Sequence, residues 1–154
     1  MRQFFSNSIC CGLLVQVFLA LTMLFSLQAQ AQNNSMRVVP FETLQFSPKE
    51  PGWPQIAPVM GNPEKGASSI VMKMGRGAFP LHTHTSDYQL VVIKGTMKHW
   101  GANQSQAQAV SLLPGSYWYQ PAQEVHGDSC ESEECVWFIS FQGPRDFALA
   151  NVAK

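Results

Sequence analysis

Charge is scarce in this sequence. Ten basic residues balance ten acidic ones over 154 positions, and no block of like sign interrupts the chain. A nucleic-acid partner needs a basic face or stripe to meet phosphate, and nothing here supplies one. Sustained helical periodicity is also missing, as is any internal repeat, which leaves strands and turns to build the fold. There is no HExxH and no nucleophile motif, so protease and nuclease readings have nothing to rest on. Cysteine is sparse, with four in all. Cys10 and Cys11 sit near the start, and the rest of the chain keeps one pair, Cys130 and Cys135.

Long apolar runs are missing too, with one exception. After Arg2 comes "ICCGLLVQVFLALTMLFSL" (9–27), then "QAQAQ", which offers Ala29 and Ala31 at the spacing that signal peptidase reads. This predicts a signal peptide over 1–31, cleaved after Ala31, and a mature protein in the periplasm or outside the cell. A retained anchor is the alternative, since the run is long enough to span a bilayer. After cleavage no membrane partner is expected. Cys10 and Cys11 precede the apolar core, which argues against an acylated lipoprotein. In an oxidising compartment an even pair reads as one disulfide, here closing the short turn "CESEEC".

The remaining chain, about 120 residues, makes one domain by length. Its first part, 32–58, is a proline-rich arm with Pro40, Pro48, Pro51, Pro54 and Pro58. Proline removes a ladder donor, so helices are excluded there and only short edge strands are expected. From 59 to 154 the text reads as strands parted by turns: "ASSIVMKM" broken by "GRG", "FPLHTH", "YQLVVI", a Lys94-Gly95 hairpin turn into "TMKHW", "AVSLL", "SYWYQ" and "VWFISF". A turn of helix is expected in the last residues. Many short strands at such spacing predict an all-β sandwich or barrel.

Two histidines one residue apart, His82 and His84, open the chemistry. Strand side chains alternate, so both point to one face, and Tyr88, Leu90 and Val92 share it if no bulge intervenes. An HxH pair alone is a weak metal signal. His126, just past the strand "SYWYQ", adds a third imidazole, and three such residues suit a facial metal site. His99 in "TMKHW" turns inward with Met97, either as a second acid–base group in a pocket or as a core histidine bonded to a neighbour. Tyr117, Trp118 and Tyr119 put aromatic surface on both faces of one strand, where core packing is the usual role.

At this point the residues resemble the cupin superfamily, whose two motifs are G(x)5HxH(x)3–4E(x)6G and G(x)5PxG(x)2H(x)3N. His82, His84 and Gly95 match the first; Gly115, Pro121 and His126 match the second. The family's glutamate position falls on Tyr88 or Gln89, glutamine replaces glycine at Gln123, and Cys130 stands where asparagine is usual. More narrowly, the chain is similar to single-domain bacterial cupins of unknown function. The resemblance implies a single jelly-roll barrel with His82, His84 and His126 as ligands of a divalent transition metal (Fe, Mn, Ni or Zn). Tyr88 stands at the metal as ligand or proton carrier, with Gln89, Asp87 or water as alternative fourth ligands.

Such a centre serves dioxygenase chemistry, or Lewis-acid isomerase and lyase chemistry with Tyr88 or His99 moving a proton. The expected partner is a small-molecule substrate, and the resemblance adds a homodimer. The rival is a non-catalytic exported sensor or carrier, because one fold hosts many functions.

Overall fold

The computed structural model describes residues 35–151. The signal segment expected over 1–31 lies outside the described residues. Among those described, no helix is long and apolar enough to cross a membrane.

Seven antiparallel strands form one sheet: β1 (Gln55–Gly61), β2 (Ser68–Thr83), β3 (Tyr88–Lys94), β4 (Met97–Gly101), β5 (Tyr117–Gln120), β6 (His126–Phe141) and β7 (Ala148–Leu149). The pairing order is β1-β2-β6-β3-β5, with β4 added to β6 and β7 to β2. The proline-rich segment yields the expected edge strand, β1, with Pro58 inside it, and a single 3-10 turn at Phe41–Thr43 that proline content did not predict. β1 runs across positions 58 and 59, where arm and barrel were expected to part.

Alternation is clear in β3, where Tyr88, Leu90 and Val92 are buried while Gln89 and Val91 are exposed. These inward residues join Ile70, Met72, Met97, Trp118, Trp137, Ile139 and Phe141 in one core. Burial of a large apolar side chain contributes roughly 1.5–3 kcal/mol, so this cluster is what closes the sheet on itself.

Several local expectations change. "GRG" does not end a strand, because β2 continues through it with a register shift between Gly75 and Gly77. Opposite, β6 passes from Glu134 (paired with Gly75) to Cys130 (paired with Gly77), so it carries extra residues. The cysteine loop is thus a bulge inside a 16-residue strand, and the Cys130–Cys135 disulfide spans it with Cα atoms 5.8 Å apart. Bulges bend a strand and sharpen its twist.

Lys94-Gly95 is not a hairpin turn either. β3 pairs with the second half of β6 and β4 with the first half, so the chain steps past the bulge and continues along the same neighbour. "AVSLL" forms no strand, only a bridge from Leu112 to Met97. Near the end of the described chain β7 pairs with His82 and Thr83, and residues 152–154, at the end where a turn of helix is expected, lie outside the described residues.

Gly95 sits where the step meets the bulge. Its φ is +83°, and an added Cβ would lie 2.5 Å from the Glu134 carbonyl oxygen and 2.9 Å from Cys135 Sγ. Neither neighbour can retreat, one being backbone and the other cross-linked. Gly95→Ala is expected to lower stability by about 2 kcal/mol or more, through left-handed strain and overlap together. Urea denaturation of the oxidised protein would measure it. An unchanged midpoint would show that the bulge yields.

Candidate metal centre

His82 and His84 stand at the end of β2 and just beyond it, and His126 begins β6, directly paired with His82. The ladder therefore brings together residues far apart in the chain. One ligand nitrogen from each lies within 4.8 Å of the other two.

Which nitrogen faces inward is decided by the backbone. His82 Nδ1 bonds to the Pro80 carbonyl at 2.8 Å, and His126 Nδ1 to the Glu124 carbonyl at 2.9 Å. His84 Nδ1 bonds to the Asp146 carbonyl. A carbonyl can only accept, so all three Nδ1 atoms carry the proton and all three Nε2 atoms present a lone pair. Metal-ligating histidines are commonly fixed in this way. Burial holds all three imidazoles below their ordinary pKa, which keeps them neutral. Tautomer, charge and convergence all fit a divalent metal.

Tyr88 lies where the alternation put it. Its hydroxyl is 3.1 Å from His126 Nε2 and accepts from Trp118 Nε1 at 3.4 Å. Burial pushes it well above the usual phenol value, so it stays protonated and donates to His126. Gln89 faces outward. Asp87 is half-buried, but its carboxylate is taken up on the outer side, accepting from Ala122 N–H at 2.7 Å and from the Tyr119 hydroxyl at 2.8 Å. Both point away from the imidazoles and so lose their candidacy as ligands.

A carboxylate does reach the site, from a residue that the sequence reading passed over. Asp128 Oδ2 lies 3.7 Å from His82 Nε2 and 3.8 Å from His126 Nε2. Burial alone would raise this carboxyl, but the His99 hydrogen bond outweighs it and holds it below the ordinary carboxylate value. The signal was present in "VHGD": on a strand, His126 and Asp128 share a face.

His99 does turn inward, but it stands behind Asp128 and outside the pocket lining. Its Nδ1 is 2.6 Å from Asp128 Oδ1 and its Nε2 is 3.0 Å from Gln120 Oε1. The Gln120 amide nitrogen is turned to the carbonyls of Glu124 and Pro121, which leaves its oxygen for His99. The ring stacks on Trp118 at 4.8 Å. With both nitrogens engaged, His99 positions Asp128.

The pocket over these groups is a small cavity of about 60 Å³ that opens to solvent. Phe79, Phe141, Trp137 and Ile139 give it apolar walls, and Trp53 reaches in from the arm. Phe147 stacks on His82 at 4.4 Å and meets Trp53 edge-on at 5.3 Å. Neither aromatic was foreseen, because both come from segments without periodicity.

Gln123 occupies the motif's glycine position with φ +64°, and its N–H donates to the His84 carbonyl at 2.8 Å. A left-handed non-glycine residue costs about 1–2 kcal/mol, while glycine adds roughly 0.5–1 kcal/mol of chain entropy. Gln123→Gly is therefore expected to stabilise the fold by roughly 0.5–1 kcal/mol, read as a higher urea midpoint. A lower midpoint would mean that the side chain contributes more than its strained backbone removes.

A family model for the ChrR cupin-like domain matches residues 34–144. A curated relative, the DNA damage-repair/toleration protein DRT102 of Arabidopsis thaliana, is 35% identical over 86 residues, which are 56% of this chain and 27% of that protein. The chain thus spans about a quarter of the length of that relative. Among solved structures, the polyketide cyclase RemF of Streptomyces resistomycificus aligns with a TM-score of 0.60 at 17% identity, over 78% of this chain and 89% of its own. The DMSP lyase DddQ of Ruegeria pomeroyi aligns with a TM-score of 0.56 at 14% identity, over 71% and 62%. At such identities the likeness concerns the fold. With the family match covering most of the described chain and both histidine motifs in place, this protein belongs to the ChrR cupin-like domain family.

Proposed function

We propose that this chain is an exported, metal-dependent enzyme acting on a small molecule by Lewis-acid chemistry of the lyase or isomerase type. One observation carries the reading: three neutral imidazoles, each with Nδ1 tied to a main-chain carbonyl, present Nε2 lone pairs and bring one ligand nitrogen each within 4.8 Å of the others. His82, His84 and His126 would hold an Fe, Mn, Ni or Zn ion. When bound, such an ion supplies a Lewis acid that polarises a substrate oxygen.

The rest falls to the protein. Nε2 of His126 offers one lone pair, so once it serves as a ligand the Tyr88 hydroxyl loses its acceptor. Tyr88 then holds its proton at Oη for a bound substrate. Asp128 Oδ2 faces the same point as an acceptor, and His99 fixes its orientation through Oδ1. A buried donor and a buried acceptor across one small site suit proton transfer, and the apolar walls keep bulk water from it. The structural neighbours include a cyclase, a lyase and a putative dioxygenase, so the choice rests on the Tyr88 donor and the Asp128 acceptor at the site. The signal-like sequence over 1–31 and the Cys130–Cys135 disulfide support export.

Elemental analysis of the untagged protein, purified without chelators, is expected to find about one transition metal per chain. His82→Ala/His126→Ala should lose it while retaining its circular dichroism. Tyr88→Phe should keep the metal, because the phenol is a donor here and not a ligand. Absence of metal under every loading condition would end the metalloenzyme reading in favour of a ligand-binding barrel. Substrate-dependent dioxygen consumption that vanishes with His82→Ala would move the chemistry to oxygenation.

A further inference from the structure

The pocket contains a cation that the proposed chemistry does not use. Arg145 follows β6 and lines the same cavity as His82, His84 and Tyr88. It is half-buried, and its N–H donates to the Pro63 carbonyl at 2.6 Å, which ties this stretch of main chain to the turn before β2. Among the described residues, no carboxylate oxygen lies within 4.0 Å of its guanidinium. The adjacent Asp146 is committed elsewhere: its Oδ1 accepts from Thr85 N–H at 2.9 Å and stands 3.9 Å from His84 Nδ1. Glu64 is exposed. Burial pushes the Arg145 guanidinium below its ordinary value, with Asp146 and Glu64 offsetting only part of the loss.

Long charged residues are seldom left half-desolvated beside aromatic walls without a partner. Here Phe79, Phe141 and Phe147 supply the walls. The other carboxylate of the pocket, Asp128, is already bonded to His99. A planar guanidinium in such surroundings matches a planar carboxylate, which it grips through two parallel hydrogen bonds.

We propose that Arg145 is the specificity residue of this site, selecting small organic acids whose carboxylate it clamps while their apolar body lies on the aromatic walls. The proposal deepens the enzyme reading above and rests on it for the word substrate. The clamp itself is independent of the metal. It also sets the direction of binding: the acid end lies at Arg145, and the reacting end faces Tyr88 and Asp128.

The test uses matched probes and ligand-observed NMR titration of the mature protein. Benzoate is compared with benzamide, 4-methylpentanoate with its amide, and phenyl phosphate serves as a different anion. The wild type should prefer each acid to its amide by about tenfold, the scale of one charge-assisted pair. Arg145→Gln should abolish the preference without changing amide binding or metal content, and Arg145→Lys should restore part of it. His82→Ala/His126→Ala should retain it. Equal binding of acids and amides by the wild type, including no binding of either, overturns the proposal. So does a preference that survives Arg145→Gln, and one lost with the histidines alone would place the anion at the metal centre. Tighter binding of phenyl phosphate than of benzoate would overturn the carboxylate assignment. Metal analysis of the same samples separates the two readings, since an Arg145-dependent preference in a protein without metal would remove only the metalloenzyme.

Discussion

Everything in this site depends on three hydrogen bonds from imidazole Nδ1 to main-chain carbonyls. A histidine ring has two nitrogens and a free χ2, so an isolated cluster could hold its protons in several ways. The carbonyls of Pro80, Glu124 and Asp146 remove that freedom. Two of them lie two residues before the histidine they hold, so local backbone shape orients the ring. The third comes from a distant segment, which makes His84 answer to the chain after β6. The tautomers of the cluster are thus set by backbone, and no side chain is spent on holding an Nδ1 proton.

The long strands keep those backbones in register. β2 and β6 run side by side for most of their length, and both change register beside the disulfide-spanned bulge. Beyond it they continue to the paired positions His82 and His126. An error of one residue there would turn both rings to the opposite face. Cys130 lies only four residues from His126 and pairs with Gly77 on the way to His82. The cross-link thereby braces the pairing as far as Phe79 and Asp128, and a second irregularity between Phe79 and His82 sets the final step to the site.

Much of this was legible in the sequence. The all-β class, the inward face of Tyr88, Leu90 and Val92, the cysteine pairing and the grouping of His82, His84 and His126 follow from alternation and from motif spacing. The misreadings have a common cause. "GRG", Lys94-Gly95 and the cysteine loop each look like punctuation, and glycine is a stop signal only when read one strand at a time. In three dimensions they are a single bend, shared by neighbouring strands. Asp128 is hidden in the sequence because the first motif reserves its glutamate position for a carboxylate, whereas here the carboxylate follows the histidine of the second. His99 could be turned inward by alternation, but alternation cannot tell a pocket from the layer behind it.

Residues 145, 146 and 147 form one short strap after β6, and each does something different for the cavity. Arg145 lines it, the Asp146 carbonyl steadies His84, and Phe147 covers His82. Only the two-residue β7 follows them among the described strands. The strap carries none of the core alternation, so its side chains answer to the ligand and not to the sheet. Of its three contributions, the one to His84 comes from main chain and survives any change of side chain. A lineage of such proteins can therefore exchange the residues at 145 and 147, and with them the molecules admitted, while the reactive floor beneath stays as it was.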